Sequence, residues 1–541
     1  MRRLPRRVAA ILIAGALAVA GCSPPAPIDI LFISIDSTRA DALTFRDSFA
    51  TPRMTAFAER GTVFTNAISG SSWTLPAHAQ MFTGTPPLLH GVQYDDVAID
   101  PLTPTLPELL KAEGYFTAGF WTGWYLAGEY GFQRGFDVYE NSMSDGAEIE
   151  RQYRQALKQS DHDLAKRVLG GRDRLSHQDV TSQRVVERIE ATLRRAPTDR
   201  GLFLFAHFFD PHYDFVPPAP WDTAFDPDYE GDFDGRNFYL DKRIFDPSKT
   251  PRRQIGERDL EHLIALYQGE IGWTDAAVGK ILDLLAEHRD LDNTLVIITS
   301  DHGDEFFEHG GRGHRHTLFD ELLHVPLLVR LPAALRSPSA PASFATQVSL
   351  SDLLPTILDA SGIAIPAEAY GRSLLPALGG APLPRRPTVS SLTVTGTGPG
   401  GSEIDLLLDS VRTEDYKLIR RLRFDEDSEQ PRVLEALYFD LANDPLEHAP
   451  IINDLDDQRV VRAEALLNTE LVQLRRHWDK FSHSPGEERS TNVSSLFESE
   501  LDALGYSGDD GDSPLASPGF AMPWGTGPYP PPTPLGGADD E

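Results

Sequence analysis

Three apolar stretches of the chain end in groups that bind metal ions or move protons. IDILFISI runs into Asp36, GLFLFAHFF into Asp210 and His212, and NTLVIITS into Asp301 and His302. Acidic groups that converge in one pocket repel each other and raise the pKa of at least one of them. A divalent cation removes that conflict. Asp36, Asp301 and His302 would give it two oxygens and one nitrogen, a set that suits Mn or Zn better than Ca, although Ca is compatible with the carboxylates. A fourth stretch, SSWTLPAHAQMFTG at 71–84, places Thr74 where a helix should start, with Pro76 in the first turn and Gly84 just past the end. Thr74 therefore reads as the N-cap. A helix N-terminus is also an anion site, because its unpaired N–H groups and its dipole face the ligand. A threonine hydroxyl there lies beside any bound phosphate or sulfate, and on a cation such a hydroxyl can lose its proton and attack.

These groups need elements to position them. The runs before Asp36, Asp210 and Asp301 are continuously apolar, as in strands buried on both faces. In open α/β sheets the ligand site lies beyond the carboxyl ends of the strands, so three such ends predict one shared site. TPTLPELLKAEGY, QRVVERIEATLRRA and EIGWTDAAVGKILDLLAEH carry apolar residues at helical spacing. Strands alternating with helices predict an α/β fold, a doubly wound sheet with helices on both faces. Residues 216–255, rich in Pro, Asp and aromatic side chains, are expected to form an insertion or lid over the site. Further on, TVSSLTV, LLLDSVRTEDYKLIRRL and EALYFDLA predict a smaller antiparallel sheet, closed by a helix at 457–480. The expected units are a catalytic domain at 28–380, a C-terminal subdomain at 381–506 and a disordered tail at 507–541, rich in Gly, Pro and Asp.

The 541 residues carry a formal net charge of −31. That charge argues against nucleic acid as a partner, and it requires any anion site to be local, built from a metal, a helix terminus or a few cations. No internal stretch is long and apolar enough to span a bilayer. The single cysteine, Cys22, excludes a disulfide within one chain. It follows a basic start, MRRLPRR, an apolar run, VAAILIAGALAVA, and the small residues of VAGC. This order reads as a secretory signal over 1–21. VAGC resembles the lipobox of bacterial lipoproteins. The resemblance implies that Cys22 is acylated and, with 22–27 as tether, anchors an extracytoplasmic protein to a bacterial membrane, in the periplasm or at the outer membrane.

Taken in order, the motifs resemble the sulfatase branch of the alkaline phosphatase superfamily, from about residue 28 to 506. ILFISIDSTRAD resembles its first metal strand, WTLPAHAQMFTG its Cys/Ser-x-Pro-x-Arg signature, and FDPHYDF an Asp-Pro-His segment. LDNTLVIITSDHGDEFFEHG and GHRHTLFDELLHVPLLVRLP resemble its second metal motif and the segment behind it. VSLSDLLPTILDASGI, VRTEDYKLI, LYFDLANDPLE and LDALGY add to the likeness. The resemblance implies an alkaline-phosphatase-like sheet and a divalent metal, one ion or two, on Asp36, Thr74, Asp301 and His302. It also implies hydrolysis of phosphate or sulfate esters. Four departures qualify it. Thr74 stands where sulfatases convert Cys or Ser to formylglycine, and His78 where they carry a supporting Arg. Ser37 stands where many have a second Asp, and His302 where many have Asn. These changes resemble the threonine-nucleophile branches of the superfamily, among them phosphodiesterases, phosphomutases and phosphoglycerol or phosphoethanolamine transferases.

On that basis Thr74 is the expected nucleophile, attacking phosphorus or sulfur in line to give a covalent intermediate that water or an alcohol releases. Backbone N–H groups at the helix start would stabilise the equatorial oxygens, and His212 or His314 would protonate the leaving oxygen. Either histidine, with Asp210 and His316, could instead hold a second metal or touch substrate. Arg315 and His316 fall near a lysine position of sulfatases and are candidate substrate contacts. Arg39 would orient Asp36, meet the anion or pair at the surface. His78 is a supporting or substrate-facing residue, and His90, Asp304 and His309 read as structural. The expected protein is a lipid-anchored, metal-dependent hydrolase of a small-molecule, glycan or lipid-headgroup ester, with phosphoesters favoured over sulfate esters. The alternatives are a headgroup transferase and an inactive, sulfatase-like surface binding protein.

Overall fold

The three apolar runs form strands β1 (Asp29–Ile35), β5 (Leu202–Phe208) and β6 (Thr294–Thr299), and every residue in them is buried. The computed structural model describes residues 27–47, 49–95, 97–143, 181–239, 241–246, 248–397, 403–423 and 432–481. The signal at 1–21, Cys22, the tether up to residue 26, LDALGY and the tail at 507–541 lie outside the described residues. β1 pairs in parallel with both β5 and β6. Their carboxyl ends, with the Asp and His residues that follow, therefore open on one edge of the sheet.

The other strands of this nine-stranded sheet are β2 (Thr62–Ile68), β3 (Phe116–Trp121), β4 (Val138–Asn141), β9 (His324–Arg330), β10 (Ser343–Phe344) and β11 (Val348–Ser349). The order is β10-β2-β9-β6-β1-β5-β3-β4, with β11 also paired to β2. β9 runs antiparallel to β6 and to β2, so the sheet is mixed. Strand direction leaves no trace in apolar periodicity, and alternation alone could not show it. Between β6 and β9 a short hairpin of β7 (Glu305–Phe306) and β8 (Arg312–Gly313) carries the next charged residues.

Successive side chains of a strand point to opposite faces. Ile30, Phe32, Phe203 and Phe205 point to one face, where helices α2 (Thr74–Thr83), α4 (Leu106–Ala112) and α8 (Leu353–Ala360) cover them. Leu31, Ile33, Leu204 and Ala206 point to the other, beneath α5 (Ser182–Leu193) and the second half of α6 (Glu257–His288). A short helix, α1 (Pro52–Ala58), joins the second face, its first N–H groups taken by the carboxylate of Asp275 on α6. The first half of α6 faces elsewhere. Leu263, Tyr267 and Ile271 pack against Phe238, Ile244 and Ile255 of the 216–255 segment and against Phe215 and Phe306. That segment thus has a small core of its own.

The C-terminal sheet is antiparallel throughout: β12 (Thr388–Thr397), β13 (Glu403–Arg412), β14 (Lys417–Arg423), β15 (Arg432–Phe439) and β16 (Ile451–Ile452). Val411 and Leu418 on one face meet Val460, Leu467 and Leu471 of α9 (Gln458–Phe481) and Leu88 and Leu89 of α3 (Pro87–His90). Leu392, Leu408 and Ile419 on the other face continue the core of the main sheet. An ion cluster seals the junction: Asp320, at the start of α7 (Asp320–Leu323), meets Arg412 and Lys417, and Lys417 meets Glu447 at 2.9 Å. Among the described residues no helix is long and apolar enough to cross a membrane.

Candidate active site

Helix α2 starts one residue earlier than its sequence suggests. Trp73 is extended (φ −162°, ψ 162°) and is the N-cap, without a side-chain hydrogen bond to the helix; Thr74 is the first helical residue. Gly84 ends the helix in the left-handed region (φ 69°), as the sequence predicts. Released from capping, the Thr74 hydroxyl points at the strand ends. Its Oγ1 lies 3.5 Å from Asp36 Oδ2 and 3.4 Å from His302 Nε2. The sheet brings Asp301 to the same point, with Oδ2 3.4 Å from His302 Nε2. Thr74, Asp36, Asp301 and His302 are thus assembled around one small volume.

The hydrogen-bond pattern fixes which atoms face that volume. Asp301 Oδ1 accepts from the N–H groups of Ser37 (3.3 Å) and His302 (2.9 Å). Oδ2 of Asp301 has no hydrogen-bond partner among the described residues. His302 Nδ1 donates to the Gly303 carbonyl (3.0 Å), which leaves the lone pair of Nε2 facing Asp36 Oδ1 (3.5 Å) and Asp301 Oδ2. Two fully buried carboxylates and an imidazole lone pair converging in this way repel one another, and a cation between them turns the repulsion into ligation. The donor set fits a divalent metal held by Asp36, Asp301 and His302.

A second layer lies behind. His78, one turn along α2 from Thr74, donates from Nδ1 to the Thr74 carbonyl (2.9 Å) and accepts at Nε2 from the Ser34 hydroxyl (3.0 Å). Burial pushes its pKa down to about 3, with His207 and His302 adding to the effect and Asp301 opposing it. His78 therefore positions the start of the helix as a neutral ring. His207, next to last in β5, was not among the sequence candidates, yet its Nε2 is 3.4 Å from Asp36 Oδ2. Burial takes its pKa down to about 4 against the pull of Asp301.

The remaining candidates divide. His314 is at the site: its Nδ1 is 2.6 Å from Asp304 Oδ1, and its ring is 4.3 Å from that of His302 and 5.0 Å from that of His212. Burial, then the neighbouring His302 and His212, hold its pKa well below the ordinary value. Burial and the Asp36 charge raise the Asp304 carboxyl well above its own, although Arg39 opposes them. His212 donates from Nδ1 to the Tyr213 carbonyl (2.7 Å) and stacks on Phe209. Tyr239, from the 216–255 segment, stacks on Tyr213, so the segment reaches the rim of the site. Arg315 lies over the Trp73 ring and pairs with Tyr125 and Asp95, while His316 is held by Glu305 at 2.7 Å.

Asp210 and Arg39 are placed otherwise than the sequence suggests. The Asp210 carboxylate is turned to the start of α5, where it accepts from Thr181 N–H, Ser182 N–H and the Ser182 hydroxyl. The cluster the fold assembles beside the first is instead His302, Asp304 and His314. Arg39 is buried and held by Asp41 and Glu308, so it is neither a surface pair nor aimed at Asp36. His90 bonds to Pro76 and Val92 of the main chain, and His309 is held between Glu321 and the Glu447 carbonyl. Both are structural ties.

The comparisons with known proteins agree with this architecture. The family described as Sulfatase matches residues 28–363, and the one described as N-sulphoglucosamine sulphohydrolase, C-terminal, matches residues 308–477. Arylsulfatase K of Rattus norvegicus is 25% identical over 338 residues, which cover 59% of this chain and 56% of that enzyme. The Ulvan-active sulfatase of Formosa agariphila is 24% identical over 464 residues, 83% of this chain and 82% of the relative. The crystal structure of the phosphonate monoester hydrolase of Agrobacterium radiobacter shares the fold, with a TM-score of 0.61, 21% identity, and coverage of 83% of this chain and 96% of that one. With the family match running from residue 28 to 363, through Asp36, Thr74, Asp301 and His302, the chain belongs to the sulfatase family.

Proposed function

We propose that the protein is a metal-dependent ester hydrolase in which unmodified Thr74 is the nucleophile, and that phosphoesters are turned over faster than sulfate esters. The observation that carries this reading is the position of Thr74 Oγ1, at the first residue of α2 and within 3.5 Å of both Asp36 and His302. The uncapped first turn of α2 offers backbone N–H groups to the equatorial oxygens of the anion. A divalent ion held by Asp36, Asp301 and His302 would supply charge that lowers the pKa of a nearby hydroxyl, and the imidazole of His302 favours Mn or Zn over Ca. His78 holds the Thr74 carbonyl and so sets the direction of attack. Burial keeps the Asp304 carboxyl protonated and the His314 ring neutral, so the carboxyl donates to Nδ1 and the N–H on Nε2 serves the leaving oxygen, the Asp304 proton passing to Nδ1 as that of Nε2 leaves.

The choice of phosphorus rests on chemistry. In-line displacement at phosphorus gives a phosphothreonine that water can cleave. A sulfated threonine resists attack at sulfur, and the C–O exit that formylglycine uses is closed to Thr74. The substrate class we propose is a small-molecule, glycan or lipid-headgroup ester met outside the cytoplasm. A panel of aryl phosphate monoesters, diesters and sulfates, assayed after chelation and reloading with Mn, Zn or Ca, tests the reading. Thr74→Ala should lose about three decades of activity or more, as expected for a covalent nucleophile, while Thr74→Ser keeps part of it. Intact mass should show residue 74 unconverted. Turnover of sulfates alone would overturn the phosphoester preference, and near-normal activity of Thr74→Ala would overturn the nucleophile.

A further inference from the structure

We infer that His207 is a further ligand of the cation held by Asp36, Asp301 and His302, so that the site offers two imidazole nitrogens and two carboxylates. The inference rests on the reading that a divalent cation occupies this site. Period-two alternation puts residues 203, 205 and 207 of β5 on one face, the face that carries α2, Ser34 and His78. His207 is fully buried there, and β1 lies alongside in parallel, with Ser34 opposite His207 in the register. Its Nε2 therefore emerges beside Asp36, two residues further along β1.

The ring nitrogens can be told apart. Thr122 Oγ1 is 3.0 Å from the His207 carbonyl and 3.2 Å from its Nδ1. A hydroxyl has one proton, and a carbonyl can only accept. The Thr122 proton goes to the carbonyl, and Nδ1–H donates to the hydroxyl. Nε2 then carries a lone pair. It lies 3.4 Å from Asp36 Oδ2, acceptor facing acceptor, and has no hydrogen-bond partner among the described residues. His302 repeats the arrangement, with Nδ1–H on the Gly303 carbonyl and Nε2 aimed at Asp36 and at Asp301. The fixed tautomer and the orphaned nitrogen beside a carboxylate are what a ligating histidine held by an outer partner presents. His78, the other ring nearby, is excluded, because both of its nitrogens are already engaged.

Two nitrogens in place of one change what the site selects. Ca takes oxygen ligands, whereas imidazole suits Zn and similar transition ions. His207 is thus a residue that discriminates among metals. The test counts imidazoles on the full-length protein labelled with 15N-histidine, stripped by chelation and loaded with Cu(II). Pulsed EPR should find two coupled imidazoles in the wild type and one in His207→Gln. Competition titration should show Zn affinity of His207→Gln lowered by about tenfold or more, with Ca affinity changed far less. A single imidazole in a wild type that binds metal normally would overturn the assignment and leave the cation reading intact. That count needs no variant, so a His207→Gln protein that fails to fold does not blunt the test. Absence of metal from both the wild type and Asp301→Asn would overturn the cation reading and this inference together.

Discussion

His314 differs from the other imidazoles of the site in having a carboxyl group, that of Asp304, on its inner nitrogen. If it protonates the leaving oxygen, its value depends on how badly that oxygen needs a proton. His314→Ala should lower kcat by about a hundredfold or more for an alkyl ester, and far less for a nitrophenyl ester, which leaves as a stable anion. Equal losses on both esters would assign His314 to structure. The site was partly legible in the sequence, because Asp36, Asp301 and His302 end apolar strands and Thr74 opens a helix. His207 was not, because one polar residue inside LFLFAHF is lost in a buried strand. The signal was present: a histidine sharing a face with Phe203 and Phe205 has no apolar reason to be there. Asp210 misled for the opposite reason. It stands next to Pro211 and His212 in the chain, but a strand end can send neighbouring side chains to different neighbours, and its own goes to a helix.

That helix, α5, starts where the chain offers its first N–H groups to Asp210. Removing such a cap costs about 1 kcal/mol, within a range of roughly 0.5–2. Asp210→Ala should therefore lower the unfolding free energy by about that much, measured in urea, while the bound metal per folded molecule stays at the wild-type value. Loss of metal in this variant would return Asp210 to the ligand set. Most elements were visible in the sequence as continuous apolar runs or amphipathic repeats. Two features were not. β9 reverses direction between β6 and β2, which no periodicity encodes. Helix α6 begins at Glu257, well ahead of its most regular stretch, because its first half packs on the 216–255 segment and not on the sheet.

Across the whole molecule, the two sheets are joined by charges taken out of water. Burial, offset only in part by Lys417, lifts the Glu447 carboxyl from 4.5 to about 7. The folded chain then holds a proton that the unfolded chain has released, so stability from this group is complete below pH 4.5 and falls as pH rises to about 7. Unfolding free energies measured across that window should decline in the wild type and decline less in Glu447→Gln; identical slopes would exclude Glu447 as the source. At the other end of the chain, we propose that Cys22 carries the lipid anchor. Fatty-acid labelling should tag the wild type and miss Cys22→Ser, and equal labelling would end that proposal. The junction has one more consequence, for the order in which the protein is made. His309, between the hairpin strands β7 and β8 that lead to His314, is tied to the carbonyl of Glu447, and Asp320 to its carboxylate. A growing chain possesses Thr74, Asp36, Asp301, His302 and His314 long before it possesses Glu447, which fastens the segment on either side of His314. A chain still being synthesised therefore holds these side chains before the C-terminal sheet has docked and before Glu447 can fix the segment that carries His309 and Asp320.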